Sequence, residues 1–276
     1  MKGFFAIVLL NIILLASCTK SVSEIPSYLK VDSVSVASLP NIASTHGIYG
    51  LHVIIENDNR GSWQIPFLMP VLSFGSRTAI ITPIVKRNNL STLLEAYPLY
   101  DPISVPVNFV SGITKDTSFQ FQYSSSVTTT INESMELTNN FNPSTSTLVS
   151  DQARTGSKSL FMAIDSSNVS LNLVSLYNRP INLSQTKQVY LEFDYYMPEG
   201  AFSPSLSYED ANGTRKNIFF DNFLLPNSRW THVYWMLTEA VRVNGQPSYT
   251  LGLNLTIREG KSNAKIYIDN LRIMEK

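Results

Sequence analysis

From Tyr249 to Ile257 the apolar side chains fall at every second position: Tyr249, Leu251, Leu253, Leu255 and Ile257. Val189, Leu191, Phe193 and Tyr195 repeat the pattern. A period of two puts one set of side chains on one face of an extended chain and the alternate set on the other, so both segments read as half-buried antiparallel strands. The first half carries shorter segments of the same character, Leu29 to Val36, Tyr49 to Glu56, Trp63 to Leu68, Thr78 to Val85, Ser104 to Val110 and Ser118 to Tyr123, separated by Asn, Gly and Pro. In the second of these, Tyr49, Leu51, Val53 and Ile55 share a face, and Asn57-Asp58-Asn59-Arg60-Gly61 is expected to turn the chain. No amphipathic helix of three turns is visible, and Asn89 to Ala96 offers one short turn or two. The expected fold class is all-β.

Length and punctuation divide the chain. At 276 residues two domains of ordinary size are expected. A Ser/Thr/Asn-rich passage begins at Ser124, which suggests a small N-terminal β-sandwich over 28–123, a linker over 124–133 and a second domain over 134–276, its first strand near Ser134 to Thr138. In the last strand the apolar phase changes, from Ile266 and Ile268 to Leu271 and Ile273. A one-residue slip would expose one of these pairs, so a β-bulge is expected at Asp269-Asn270.

The single cysteine, Cys18, follows a basic start, Met1-Lys2, and an apolar run from Phe4 to Leu15. That run is shorter than the roughly 20 residues a bilayer span needs, and it ends in small residues as an export signal does. Leu15-Ala16-Ser17-Cys18 resembles the lipobox of bacterial lipoproteins, which implies cleavage after residue 17 and a diacylglycerol on Cys18, with residues 18–27 as a tether. The mature chain of 259 residues then has no free thiol, no disulfide and a formal charge of −1 after the loss of Lys2. No excess of Lys and Arg marks a nucleic-acid surface. The six Asn-x-Ser/Thr sequons reflect an Asn/Ser/Thr-rich composition.

Ile25-Pro26-Ser27-Tyr28-Leu29, the hairpin from Leu51 to Pro66, Ile81-Thr82-Pro83-Ile84 and Tyr97-Pro98-Leu99-Tyr100 resemble uncharacterised lipoproteins of Bacteroidota, and the hairpin is similar to PEGA or carboxypeptidase-regulatory-like β modules. In the second half, Ala153 to Leu160, Val189 to Tyr195, Trp230 to Tyr234 and Ile266 to Ile273 occur in the order seen in carbohydrate-binding jelly rolls and galactose-binding-like domains. The resemblances imply a jelly roll after the first sandwich, and an outer-membrane lipoprotein with the periplasmic and surface sides both open. Asp269 and Glu136 match an aspartate–glutamate pair that often holds a structural calcium in such jelly rolls. Capping of the bulge by Asp269 is an equal alternative.

Opposite the apolar face of the 189–196 strand lie Tyr190, Glu192, Asp194 and Tyr196, a set able to stack on a pyranose ring and bond its hydroxyls. His232 and Tyr234 are expected to join them from a neighbouring strand. Alternatively that face is merely solvated, or is covered by the first domain. Catalysis has little support: His46 and His52 are six apart, no serine sits in a Gly-x-Ser-x-Gly elbow, and Glu192 and Asp194 lie side by side on one strand instead of flanking a bond. The leading expectation is a non-catalytic accessory subunit that binds a protein partner such as an outer-membrane β-barrel. The alternative is a glycan-binding lipoprotein.

Overall fold

The structure, a computed structural model, describes residues 25–38, 43–167 and 171–276, so Cys18 and the apolar segment before it lie outside the described residues. In the first module, β1 (Ser27–Val36) lies between β4 (Phe67–Val71), antiparallel to it, and β8 (Thr114–Phe121), parallel to it. The facing sheet runs β3 (Asp58–Gln64), β2 (Ile48–Ile55), β5 (Gly75–Lys86) and β6 (Leu94–Ala96), with β7 (Ile103–Phe109) also paired to β5. Leu29, Val31, Met69 and Phe121 from one sheet meet Leu51, Val53, Ile81 and Phe109 from the other in a common core.

Three local expectations change. The segment Trp63 to Leu68 is broken at Pro66, which has no N–H for a ladder, and the chain there passes from one sheet to the other. The turn after β2 is only Glu56-Asn57, and Gly61 lies in a bulge of β3 rather than a loop. Asn89 to Ala96 forms turns and the short β6, because Lys86 and Leu94 pair across the sheet before a helix has room to form.

The second module is a jelly-roll sandwich. Its six-stranded sheet contains β9 (Thr128–Glu133), β10 (Thr147–Val149), β11 (Ser159–Asp165), β13 (Val189–Glu199), β16 (Thr231–Met236) and β18 (Asn263–Glu275). The opposing sheet is ordered β12 (Asn172–Leu176), β17 (Thr250–Thr256), β14 (Ala201–Glu209) and β15 (Arg215–Phe219). Leu191, Phe193 and Trp235 pack between the sheets against Phe202, Leu206, Leu251 and Leu253. One helix, α1 (Thr238–Asn244), follows β16 and ends at Gly245, whose left-handed φ of 57° lets its N–H bond the Val241 carbonyl at 3.0 Å. At seven residues it is too short to show a helical period in sequence.

The first strand of this sheet is 128–133, inside the expected linker and ahead of the expected 134–138. Its run Thr-Thr-Thr-Ile-Asn-Glu has a single apolar residue, and pairing with β18 holds it in place. The two modules pack directly against each other. Tyr190, Tyr234 and Met274 pack into the first module's core, Asn88 N–H donates to the Tyr234 carbonyl at 2.8 Å, and Lys276 Nζ donates to the Pro98 carbonyl at 2.8 Å.

The bulge expected in the last strand is present. Asp194 pairs with Asp269 but Glu192 pairs with Arg272, so β18 carries one extra residue, and Asn270 adopts φ 51°. Its side chain donates to Asp194 at 3.0 Å and accepts from Thr155 Oγ1 at 2.9 Å. Asn270→Ala should therefore cost about 2–4 kcal/mol, from lost bonds to a buried carboxylate and a left-handed alanine. Asn270→Gly should cost less, since glycine keeps the conformation at no steric cost. Urea-unfolding midpoints of the two variants test this order.

Candidate functional site

The residues singled out on the 189–196 strand do converge, but inside the protein. β13 is flanked by β18 and β16, which sets Glu192 between Arg272 and Tyr234, and Asp194 between Asp269 and His232. Before the bulge the odd residues of β18 face outward, and after it the even ones do, which turns Arg272 toward Glu192. The first module then covers this face. Tyr190, Glu192, Asp194, His232 and Tyr234 are all buried, so the open ligand groove expected from them is not formed.

The covering residues complete a hydrogen-bonded cluster. Arg272 reaches Glu192 Oε2 through Nε at 2.8 Å and Nη2 at 2.6 Å, and its Nη1 donates to the Ala43 carbonyl at 3.1 Å. Tyr97 and Tyr123 of the first module both donate to Glu192, the latter at 2.7 Å. Thr45 Oγ1 donates to Asp194 at 2.6 Å. Tyr190 donates to Glu95 at 2.9 Å, and the Tyr234 hydroxyl accepts from Gly47 N–H at 3.0 Å. The Tyr97 ring packs against Tyr190 and Tyr234 at 5.0 and 4.5 Å between centroids.

His232 lies between the two carboxylates. One ring nitrogen, Nδ1, is 3.2 Å from Asp194, and Nε2 is 3.4 Å from Glu192 but too poorly aligned for a hydrogen bond. Burial alone would push the imidazole down, and Asp194 followed by Glu192 more than reverses this, leaving its pKa raised. Burial works against the Glu192 carboxylate as well, yet Arg272 and His232 bring it down to about 2. Asp194 is lowered in the same way, with His232 outweighing burial. These charges compensate one another in the interior, which is the condition for burying them.

Asp269 and Glu136, the pair expected at calcium, grip one loop from two ends. Asp269 accepts the N–H groups of Arg154 and Thr155 at 2.9 and 3.0 Å, and Glu136 accepts those of Ser157 and Lys158 at 2.9 and 3.1 Å. Asp269 also takes the Asn270 N–H at 2.7 Å, so it caps the bulge. Burial pushes its carboxyl up to about 6. Calcium wants six to eight oxygens, whereas the loop offers these carboxylates N–H donors. Among the described residues no group of three or more His, Cys, Asp or Glu is placed to hold a metal, so the arrangement does not fit a cation.

Tyr196 alone of the strand's polar face stays partly exposed. It belongs to a row of rings crossing the six-stranded sheet: Trp230, Tyr196, Tyr267 and Phe161, with successive centroids 6.2, 5.8 and 4.8 Å apart.

A surface site that the sequence reading missed lies on the outward face of the four-stranded sheet. Along β14, Phe202, Pro204 and Leu206 point inward, and Ser203, Ser205 and Ser207 lie on the opposite face, buried under their longer neighbours. Asn254 donates to Ser205 Oγ at 2.9 Å and Arg215 to Ser207 Oγ at 2.6 Å. Gly252 lies beside Ser205, where a Cβ would come within 2.4 Å of the hydroxyl. One wall is apolar and open: Phe219 pairs opposite Ser205, and the bridge between Phe202 and Leu224 brings Phe223 and Leu225 alongside. These three side chains are 64%, 53% and 55% exposed. The trough ends in a cleft of about 340 Å³ lined by Ser207, Glu209, Arg215 and Thr250. Its sequence signal was the serine alternation from Ser203 to Ser207, together with Phe219-Phe220, of which a strand can bury only one.

The second module is thus of the two-sheet jelly-roll class. No protein-family profile and no curated protein matches the sequence. Among solved structures, the chain is similar to the CBM22-1 xylan-binding domain from Paenibacillus barcinonensis Xyn10C, with a TM-score of 0.41, 12% identity and coverage of 55% of this chain and 97% of that one. It is also similar to a family 30 carbohydrate-binding module, with a TM-score of 0.39, 20% identity and coverage of 49% and 76%. A third likeness is TmCBM61 in complex with β-1,4-galactotriose, with a TM-score of 0.31, 10% identity and coverage of 54% and 88%.

Two measurements test the buried cluster. Arg272→Met should destabilise the protein by about 3–5 kcal/mol, because it leaves Glu192 charged without its partner, and adding Glu192→Gln should restore part of the loss. For pH, the raised His232 value means that its contribution is complete below about 6.5 and is lost as pH rises through the folded value. Glu192 has the opposite sign: its contribution is present above about 4.3 and lost as pH falls toward 2. Unfolding midpoints recorded from pH 5 to 9 should fall on the alkaline side for the native chain, and His232→Gln should flatten that fall.

Proposed function

We propose that this protein is a lipid-anchored, non-catalytic glycan-binding protein whose ligand lies along the trough on the outward face of β14, β15 and β17. The carrying observation is the set of exposed side chains Phe219, Phe223 and Leu225 beside the polar groups of Arg215 and Asn254. Sugars present an apolar C–H face and a rim of hydroxyls, so they suit a site that pairs aromatic rings with polar groups. An exposed apolar patch of this kind marks an interaction surface. Glu192 and Asp194, the one carboxylate pair weighed for glycosidase chemistry, are buried under the first module and held by Arg272 and His232. Of the two expectations, this reading takes glycan binding over the accessory subunit, and it moves the sugar from the 190–196 face, which the first module covers, to the trough.

Anchoring belongs to the same proposal. The Leu15 to Cys18 stretch supports lipidation of Cys18, and the tether that follows would hold both modules at the outer membrane, with surface display the orientation that gives access to polysaccharide.

Affinity electrophoresis against a panel of soluble plant and bacterial polysaccharides tests the trough. Phe219→Ala combined with Phe223→Ala should weaken binding of the retarding polysaccharide about tenfold or more with no change in melting temperature. Unchanged retardation, or a panel with no retarding member, would sink the site. For the anchor, Cys18→Ser should move the protein from the membrane fraction to the soluble fraction and abolish metabolic labelling with palmitate. Persistence in the membrane would mean that residues other than Cys18 hold it there.

A further inference from the structure

A second cleft opens where the modules meet. The start of β2 and the two residues before it contribute His46, Gly47, Ile48 and Tyr49, the end of β5 contributes Lys86, and the entry to β16 contributes Arg229, Trp230 and Thr231. It encloses about 310 Å³, and neither module forms it alone. No Asp or Glu lines it. Among the described residues, Lys86 and Arg229 have no carboxylate partner within ion-pair distance, whereas Arg87, one residue from Lys86, is paired with Glu95 at 3.0 Å. The Lys86 ammonium lies over the Tyr49 ring, 4.3 Å from its centroid, so its stem is held while its charge remains available. Trp230 is the last ring of the row that crosses the six-stranded sheet, and Tyr196 supports it at 6.2 Å.

Two unneutralised cations in a partly enclosed cleft attract an anion more strongly than the same charges in open solvent would. An indole beside them, backed by a second ring, offers an apolar face of the size of one sugar ring. A simple inorganic anion would use the charges and leave the indole idle, and a neutral sugar would do the reverse. The chemistry that uses both is a pyranose carrying an acidic substituent.

We propose that the seam between the modules is a second saccharide subsite, selective for a sugar that bears a carboxylate or a sulfate, with Lys86 and Arg229 meeting the anion and Trp230 the ring. This inference rests on the glycan-binding reading but uses different residues from the trough. The subsite exists only while the two modules stay docked, so the buried Glu192–Arg272 cluster also fixes the spacing of its walls. A ligand that spans the seam would in turn hold the modules together, since anything that binds the assembled form stabilises it.

The test is calorimetric titration of the mature chain with three oligosaccharides of equal length, one uronate-containing, one sulfated and one neutral, with inorganic sulfate as a fourth titrant. At least one acidic oligosaccharide should bind with an affinity that falls as salt is raised, and the arm that binds identifies the anion. Arg229→Gln and Lys86→Gln should each weaken that binding about tenfold. Both changes should leave neutral binding and the melting temperature unaltered, and Phe219→Ala with Phe223→Ala should leave acidic binding in place. Arg229 is exposed, so Arg229→Glu provides a charge reversal that the fold tolerates, and it should abolish the acidic interaction. The proposal is overturned if the acidic oligosaccharides do not bind, if these substitutions leave their affinity unchanged, or if inorganic sulfate binds as tightly as the sulfated sugar. Loss of neutral binding alone would count against the trough and leave the seam standing.

Discussion

The ion pair between Glu192 and Arg272 is the contact on which the arrangement of the whole molecule depends. Each group is inaccessible to water, and each would be costly to bury alone. Arg272 is tied to the Ala43 carbonyl and the Tyr123 hydroxyl, while Glu192 accepts hydrogen bonds from Tyr97 and Tyr123. The second module supplies the charges, and the first supplies most of the neutral dipoles that make their burial tolerable. Neither surface would be stable against water in the form it has here, so the two sandwiches behave as one body rather than as beads on a linker.

That contact is itself made possible by one inserted residue. Without the bulge at Asp269-Asn270, the outward phase of β18 would continue through odd positions and Arg272 would point into the sandwich core. The left-handed Asn270 reverses the phase, and its side chain then binds Asp194 on the neighbouring strand. Asp269 uses its carboxylate to hold the adjacent loop. A local irregularity of the backbone thus decides which face of the sheet carries charge.

Much of this was legible in the residues. Period-two alternation located most strands of the first module and β13, β17 and β18 of the second, and the shift between Ile268 and Leu271 placed the bulge correctly, because a buried side chain tolerates no other register. The same alternation grouped Tyr190, Glu192 and Asp194 on one face and brought His232 and Tyr234 beside them. What it could not supply was the cover. A polar face looks the same in sequence whether water or a second module lies on it, and the tyrosines that cap Glu192 come from about 70 and 95 positions away. β9 escaped for a related reason: its strand character comes from pairing with β18, not from its own composition. The trough was overlooked because serine suggests a loop more readily than a strand.

The final strand occupies a central place in its sheet, with β11, β13 and β9 all bonded to it. Residues 263–275 therefore supply the middle of a structure whose other strands are made earlier. Until they emerge, β11 and β13 have no common neighbour, Glu192 has no guanidinium, and the tyrosines of the first module face an incomplete surface. The sheet closes only when segments far apart along the chain come together, which gives the second module a high contact order.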